Sequence, residues 1–135
     1  MKCFILAFVF ATLIDLATAN LQSIMIQTVV VCGDEHDSHI KVELWDADRT
    51  DPDDLMGSTT AEYSLVLFVE GKETEITDID PELRIFHNCG KSCLQKSTFK
   101  LPDSVITQGS IPKLVNIGAI DLKTMPSEDV GNDCT

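Results

Sequence analysis

Between residues 23 and 122 the chain changes character at every second position, in short runs closed by glycine, proline or clustered polar residues. Alternate residues of an extended backbone point to opposite faces, so runs of this period are strands that share one buried side. Ile40, Val42 and Leu44 fall on one face of such a run, with Lys41, Glu43 and Trp45 on the other. Leu83, Ile85 and His87 oppose Arg84 and Phe86 in the same way. Further strands are expected over residues 23–31, 58–62, 65–69, 73–77 and 95–101, and one or two more over 113–122 with a break at Gly118. Glu70-Gly71-Lys72 and Tyr63-Ser64 read as turns, and the chain from Met125 reads as a polar tail that only Cys134 would anchor. No segment carries helical periodicity. Seven or eight short strands with turn residues in the gaps predict an all-β sandwich.

The first nineteen residues stand apart from this pattern. Lys2 precedes an apolar run over residues 3–14, and Ala17-Thr18-Ala19 is a small-x-small cleavage site. The run is too short to span a membrane. Residues 1–19 are therefore expected to be a secretory signal peptide, and residues 20–135 one sandwich domain, released outside the cell. Cleavage removes one cation and one anion, so the formal charge stays at −12. That charge excludes nucleic acid as a partner and repels anionic membrane unless a cation bridges the two. It accommodates cations or a basic protein surface, and for most of these carboxylates it serves solubility.

Export also decides how the cysteines read. Cys32, Cys89, Cys93 and Cys134 remain after cleavage, an even number in a small secreted domain, which predicts two disulfides. Three pairings are possible and spacing does not choose among them. Zinc held by Cys89, Cys93 and His87 is the rival arrangement, disfavoured by an oxidising compartment. His36 and His39 sit at a turn. His87 is expected to be a core histidine bonded through its ring to a neighbouring carbonyl. No G-x-S-x-G, H-E-x-x-H or phosphate-cradling glycine loop is present, so no enzymatic activity is expected.

One constellation carries chemistry. Asp46, Asp48, Asp51, Asp53 and Asp54 crowd the loop that follows the strand ending at Trp45. Clustered hard oxygens on a flexible loop suit calcium, which takes six to eight of them. The run W-D-x-D-x-x-x-x-D-D-x-x-G is similar to one calcium loop of the synaptotagmin-type lipid-binding sandwiches; it departs from an EF-hand at Arg49-Thr50. The competing reading is an exposed, solvated loop of turn-forming aspartates, and the sequence favours it.

V-x-L-W-D-x-D with D-P-D-D-L-M-G (residues 42–57), I-D-P-E-L-R-I-F-H-N-C (79–89), N-I-G-A-I-D-L (116–122) and the cysteine pattern ending in Asp133-Cys134 resemble the nematode transthyretin-like family. The resemblance spans nearly the whole chain beyond the leader. It implies a secreted transthyretin-type β-sandwich. The family's members are mostly of undefined function, and one branch is associated with bridging phosphatidylserine on dying cells to an engulfment receptor. Two loops depart from the family: Cys32-Gly33-Asp34-Glu35-His36 lacks the usual proline, and Ala61-Glu62-Tyr63-Ser64-Leu65 replaces the usual D-x-x-G-x-F turn. Transthyretin's enzymatic relatives, which hydrolyse 5-hydroxyisourate, end in Y-R-G-S; this chain ends Gly131-Asn132-Asp133-Cys134-Thr135. The expectation is an extracellular, non-catalytic binding or signalling protein acting on a protein or lipid partner, or alternatively a calcium-dependent binder of anionic phospholipid such as phosphatidylserine.

Overall fold

The computed structural model describes residues 19–33, 39–48 and 51–131. All of the expected leader except Ala19 lies outside them, as does Cys134. Among the described residues nine strands form in chain order: β1 (Asn20–Val31), β2 (His39–Asp46), β3 (Asp54–Glu62), β4 (Val66–Glu75), β5 (Pro81–His87), β6 (Gln95–Lys100), β7 (Thr107–Gln108), β8 (Leu114–Asp121) and β9 (Glu128–Asp129). Two 3₁₀ turns, Asp103–Val105 and Leu122–Thr124, are the helical elements among the described residues. The architecture is the all-β sandwich that the period-two pattern predicts.

β1 is the centre of the first sheet. It pairs antiparallel with β4 along one edge, and with β7 and then the parallel β8 along the other. The second sheet runs β3-β2-β5-β6-β9. Between them lie Ile24, Ile26 and Val30 of β1, Ile40, Val42 and Leu44 of β2, Leu67 and Val69 of β4, and Leu83 and Ile85 of β5, all essentially sealed from solvent. These are the inward positions of the alternating runs. Buried Gln22 fastens the β4–β5 connection: its Nε2 donates to Thr77 O at 2.8 Å, and its Oε1 accepts from Ile79 N at 3.1 Å.

A disulfide joins Cys32, beyond the end of β1, to Cys89, beyond the end of β5, and so ties one sheet to the other. By the chain-entropy account a crosslink over a separation of 57 residues stabilises by roughly 4 kcal/mol. Cys93 is also disulfide-bonded. With Cys89 oxidised, the zinc arrangement is overturned.

Four local expectations are corrected. Glu70-Gly71-Lys72 is not a turn, and residues 65–69 and 73–77 are not separate strands: β4 runs unbroken through Gly71. The glycine serves close approach instead. A Cβ on Gly71 would lie 2.6 Å from both Met56 Cβ and Met56 O, and one on Gly57 would collide with the Glu70 carbonyl oxygen. β3, at the edge of one sheet, and β4, at the edge of the other, therefore meet backbone to backbone and close that side of the sandwich. β8 likewise continues past Gly118, whose positive φ accommodates a bulge where the register against β1 shifts; Thr28 Oγ1 donates to Gly118 O at 2.7 Å. The tail is held without reference to Cys134. β9 pairs with β6, Gln95 Nε2 donates to Asp129 Oδ1 at 2.7 Å, and Val130 N donates to Leu94 O at 3.1 Å. β7, too short to leave a periodic signal, was not expected.

Gly57→Ala tests the glycine contact. The added methyl meets backbone rather than a movable side chain, so unfolding in urea should show a loss of about 2–3 kcal/mol, the upper range for overpacking. Gly131→Ala, with open space around its Cβ position, should change stability little.

Candidate functional site

Where β2 ends, the sandwich gathers its acidic chemistry. Asp46 and Asp54 are the last pair of the β2–β3 ladder, and Asn20 and Glu75 the terminal pair of the β1–β4 ladder. The Gly57–Gly71 contact holds β4 against β3, so the end of β4 reaches the end of β2. Carboxylate oxygens of Asp46, Asp48, Asp54 and Glu75 all lie within 4.8 Å of one another.

Asp46 is not on an exposed loop, as the sequence reading has it, but wholly buried. Its Oδ1 accepts from Asp80 N at 2.9 Å, while Ala47 N donates to Asp80 O at 2.9 Å, and these bonds fix the chain leaving β2. Asp46 Oδ2 is sealed from solvent and receives no N–H or hydroxyl. The group that faces Asp46 is another carboxyl, Glu75. Hydrogen bonding to Asp46 and then loss of hydration push Glu75 up to about 7. Loss of hydration, then the charges of Asp46 and Asp54, raise Asp48; loss of hydration and then Asp54 raise Glu73, the next inward carboxyl of β4.

Of the five aspartates singled out by spacing, Asp46, Asp48 and Asp54 come together and two do not. Asp53 turns away to pair with Arg84 Nη2, while its Oδ1 accepts from Asp48 N at 3.0 Å; the Arg84 bond holds its carboxyl below the usual range. Asp51 contributes its charge to Asp48 but stands outside the cluster. Glu75 is the residue that spacing misses. Its only sequence signal is that Glu73 and Glu75 alternate on one face of an expected edge strand.

The two outer faces differ in kind. On the β2–β5–β6 face Arg84 lies 4.3 Å from the Trp45 ring centroid and donates from Nε to Glu82 at 2.8 Å; Trp45 Nε1 donates to Glu43 at 3.0 Å, and Lys41 and Lys96 pair with Glu43 and Glu128. That face is a ladder of satisfied charges. The outer face of the β1 sheet carries a group of apolar side chains around Gln27. Register places Val29 beside Val66, Phe68 beside Gln27, and Leu114 beside Met25, with Val66 55%, Phe68 49% and Leu114 48% exposed.

His87 lies in the core, as expected, but its ring partners are not carbonyls. Cys89 N donates to Nδ1 at 3.0 Å, so Nε2 carries the proton and donates to Ser97 Oγ at 2.8 Å. Burial lowers its pKa. Both nitrogens are engaged, which leaves neither for a metal or a proton transfer.

A sandwich of this topology is of the transthyretin type in architecture. The chain belongs to the transthyretin-like family, whose model matches residues 28–102. It is 36% identical to transthyretin-like protein 5 of Caenorhabditis elegans over 85% of this chain and 86% of that protein. It is 35% identical to transthyretin-like protein 33 of the same organism, over 84% and 82% respectively. No helix among the described residues is long and apolar enough to cross a membrane.

The pair Asp46–Glu75 sets a pH dependence. Glu75 in the folded chain holds a proton that the unfolded chain releases at its ordinary value of 4.5. The folded state thus binds more protons between pH 4.5 and about 7, and stability falls as pH rises through that window. Asp48 and Glu73 act in the same direction. In a chelating buffer, Glu75→Gln should flatten this fall and raise the thermal midpoint at pH 8 relative to the parent. Parallel pH profiles for the two proteins would contradict it.

Proposed function

We propose that the chain is a secreted, non-catalytic binding protein of the transthyretin-like family that docks an extracellular protein on the apolar outer face of its β1 sheet. One observation carries the reading. β1 carries apolar residues on both faces, Ile24, Ile26 and Val30 inward and Met25, Val29 and Val31 outward with Gln27 among them, which approaches the pattern of a strand covered on both sides. In a two-layer sandwich only one of those faces meets the other sheet. The outer positions Met25, Val29, Val66, Phe68 and Leu114 carry exposed or half-exposed apolar side chains around Gln27 and Asn116, and apolar groups gathered on a surface mark interaction sites. On the opposite outer face the charges are paired.

A second reading is favoured by the carboxylate cluster: calcium-dependent binding of anionic phospholipid, phosphatidylserine being the test headgroup. A molecule of charge −12 approaches such a surface only through a bridging cation.

Capture from nematode extracellular extracts separates the two. Val66→Asp with Phe68→Asp should lose the captured protein partner, since it puts unpaired charge into the patch, while Asp46→Asn keeps it. Sedimentation with phosphatidylserine vesicles in millimolar calcium should show the reverse dependence if lipid is the ligand. A partner retained by the patch variant would overturn the first reading. Self-association abolished by the patch variant, with no other partner lost, would replace the receptor with a second copy.

A further inference from the structure

We propose that Asp46, Asp48, Asp54 and Glu75 form a calcium-class divalent-cation site that ties the edge of one sheet to the edge of the other. Asp46 ends β2, Asp48 follows it, Asp54 opens β3, and Glu75 closes β4. Three ligands therefore come from one sheet and the loop at its edge, and the fourth from the opposite sheet.

Geometry argues first. Oxygens at ~2.4 Å from a common calcium ion can be at most ~4.8 Å apart, on opposite sides of it; for magnesium at ~2.1 Å the limit is ~4.2 Å. The four carboxylates supply one oxygen each within 4.8 Å of one another, inside the calcium limit, and magnesium, which dehydrates reluctantly, is usually bound through only one or two carboxylates. Burial argues second and independently. Asp46 is fully buried, its Oδ1 is taken by Asp80 N–H, and its Oδ2 meets no N–H or hydroxyl, only the carboxyl of Glu75. A buried carboxylate oxygen left without a donor or a cation is strongly unfavourable. This oxygen belongs to a residue whose carboxylate already sits with three others, and once Glu75 has lost its proton a hard cation is the ligand that satisfies it. None of the four makes an ion pair among the described residues, where the ion pairs of this region go to Asp53 and Glu82 through Arg84.

The mixed exposure of the set also fits a site that fills from solvent. Asp46 is buried, Asp48 and Glu75 are half-buried, and Asp54 is exposed. Four side-chain oxygens leave two to four positions of a calcium shell for second carboxylate oxygens and water. Glu73, one alternation inward of Glu75, adds negative charge behind the site. Cation binding here requires no lipid, whereas cation-dependent lipid binding requires this site.

The test is calcium titration by calorimetry on the intact domain without vesicles, with far-UV circular dichroism of every variant to establish folding. Calcium should bind and raise the thermal midpoint, with magnesium at the same concentration giving a much smaller rise. Glu75→Gln, which keeps the shape and a hydrogen-bond donor for Asp46, should weaken calcium at least tenfold. Asp51→Asn, outside the cluster, should change it less than twofold. Equal response to calcium and magnesium, no response to either, or loss on Asp51→Asn with retention on Glu75→Gln would each overturn the site. Calcium bound but vesicles ignored would reject the lipid reading alone.

Discussion

Two glycines set the arrangement of the acidic end. Gly57 on β3 and Gly71 on β4 let two backbones touch where any side chain would hold them apart. Because each strand is the edge of a different sheet, that touch closes the sandwich and fixes the relative position of everything beyond it. Four residues after Gly71 the chain reaches Glu75, beside Asp46. Three residues before Gly57 it passes Asp54. Like charges are brought together here by packing elsewhere, and the repulsion is met by a proton on Glu75 or by a cation.

The opposite end is closed covalently. Cys32–Cys89 clamps the ends of β1 and β5, and His87, two residues before the second cysteine, turns both ring nitrogens to structural bonds. The molecule thus has one end stapled by a disulfide and one end held by backbone contact beneath a carboxylate cluster. The proposed cation site would make stability at the second end respond to ions, and so make the acidic end the place where solution conditions act on the sandwich.

The core was legible because its signal is local. Ile40, Val42 and Leu44, like Leu83, Ile85 and His87, show their period within a few residues, and every one is buried. What stayed hidden depends on contacts between distant segments. Gly71 reads as a turn because a turn and a close approach ask for the same residue. Asp53 and Asp54 are adjacent, and spacing cannot tell that one faces Arg84 and the other the cluster. Glu75 lies 29 positions from Asp46 in sequence and beside it in space. β9 rests on two residue pairs with β6 and the Gln95–Asp129 bond, too few to leave a pattern. The acidic loop was recognised as chemistry, but its membership is a property of the fold.

The central claim is that the close approach of β3 and β4 builds a cation site from both sheets. Anomalous diffraction from crystals soaked in terbium or grown in calcium tests it most directly. The account predicts a peak within coordination distance of Asp46, Asp48, Asp54 and Glu75 together. A peak held by Asp51 and Asp53 on the loop alone, or none at the acidic end, would contradict it.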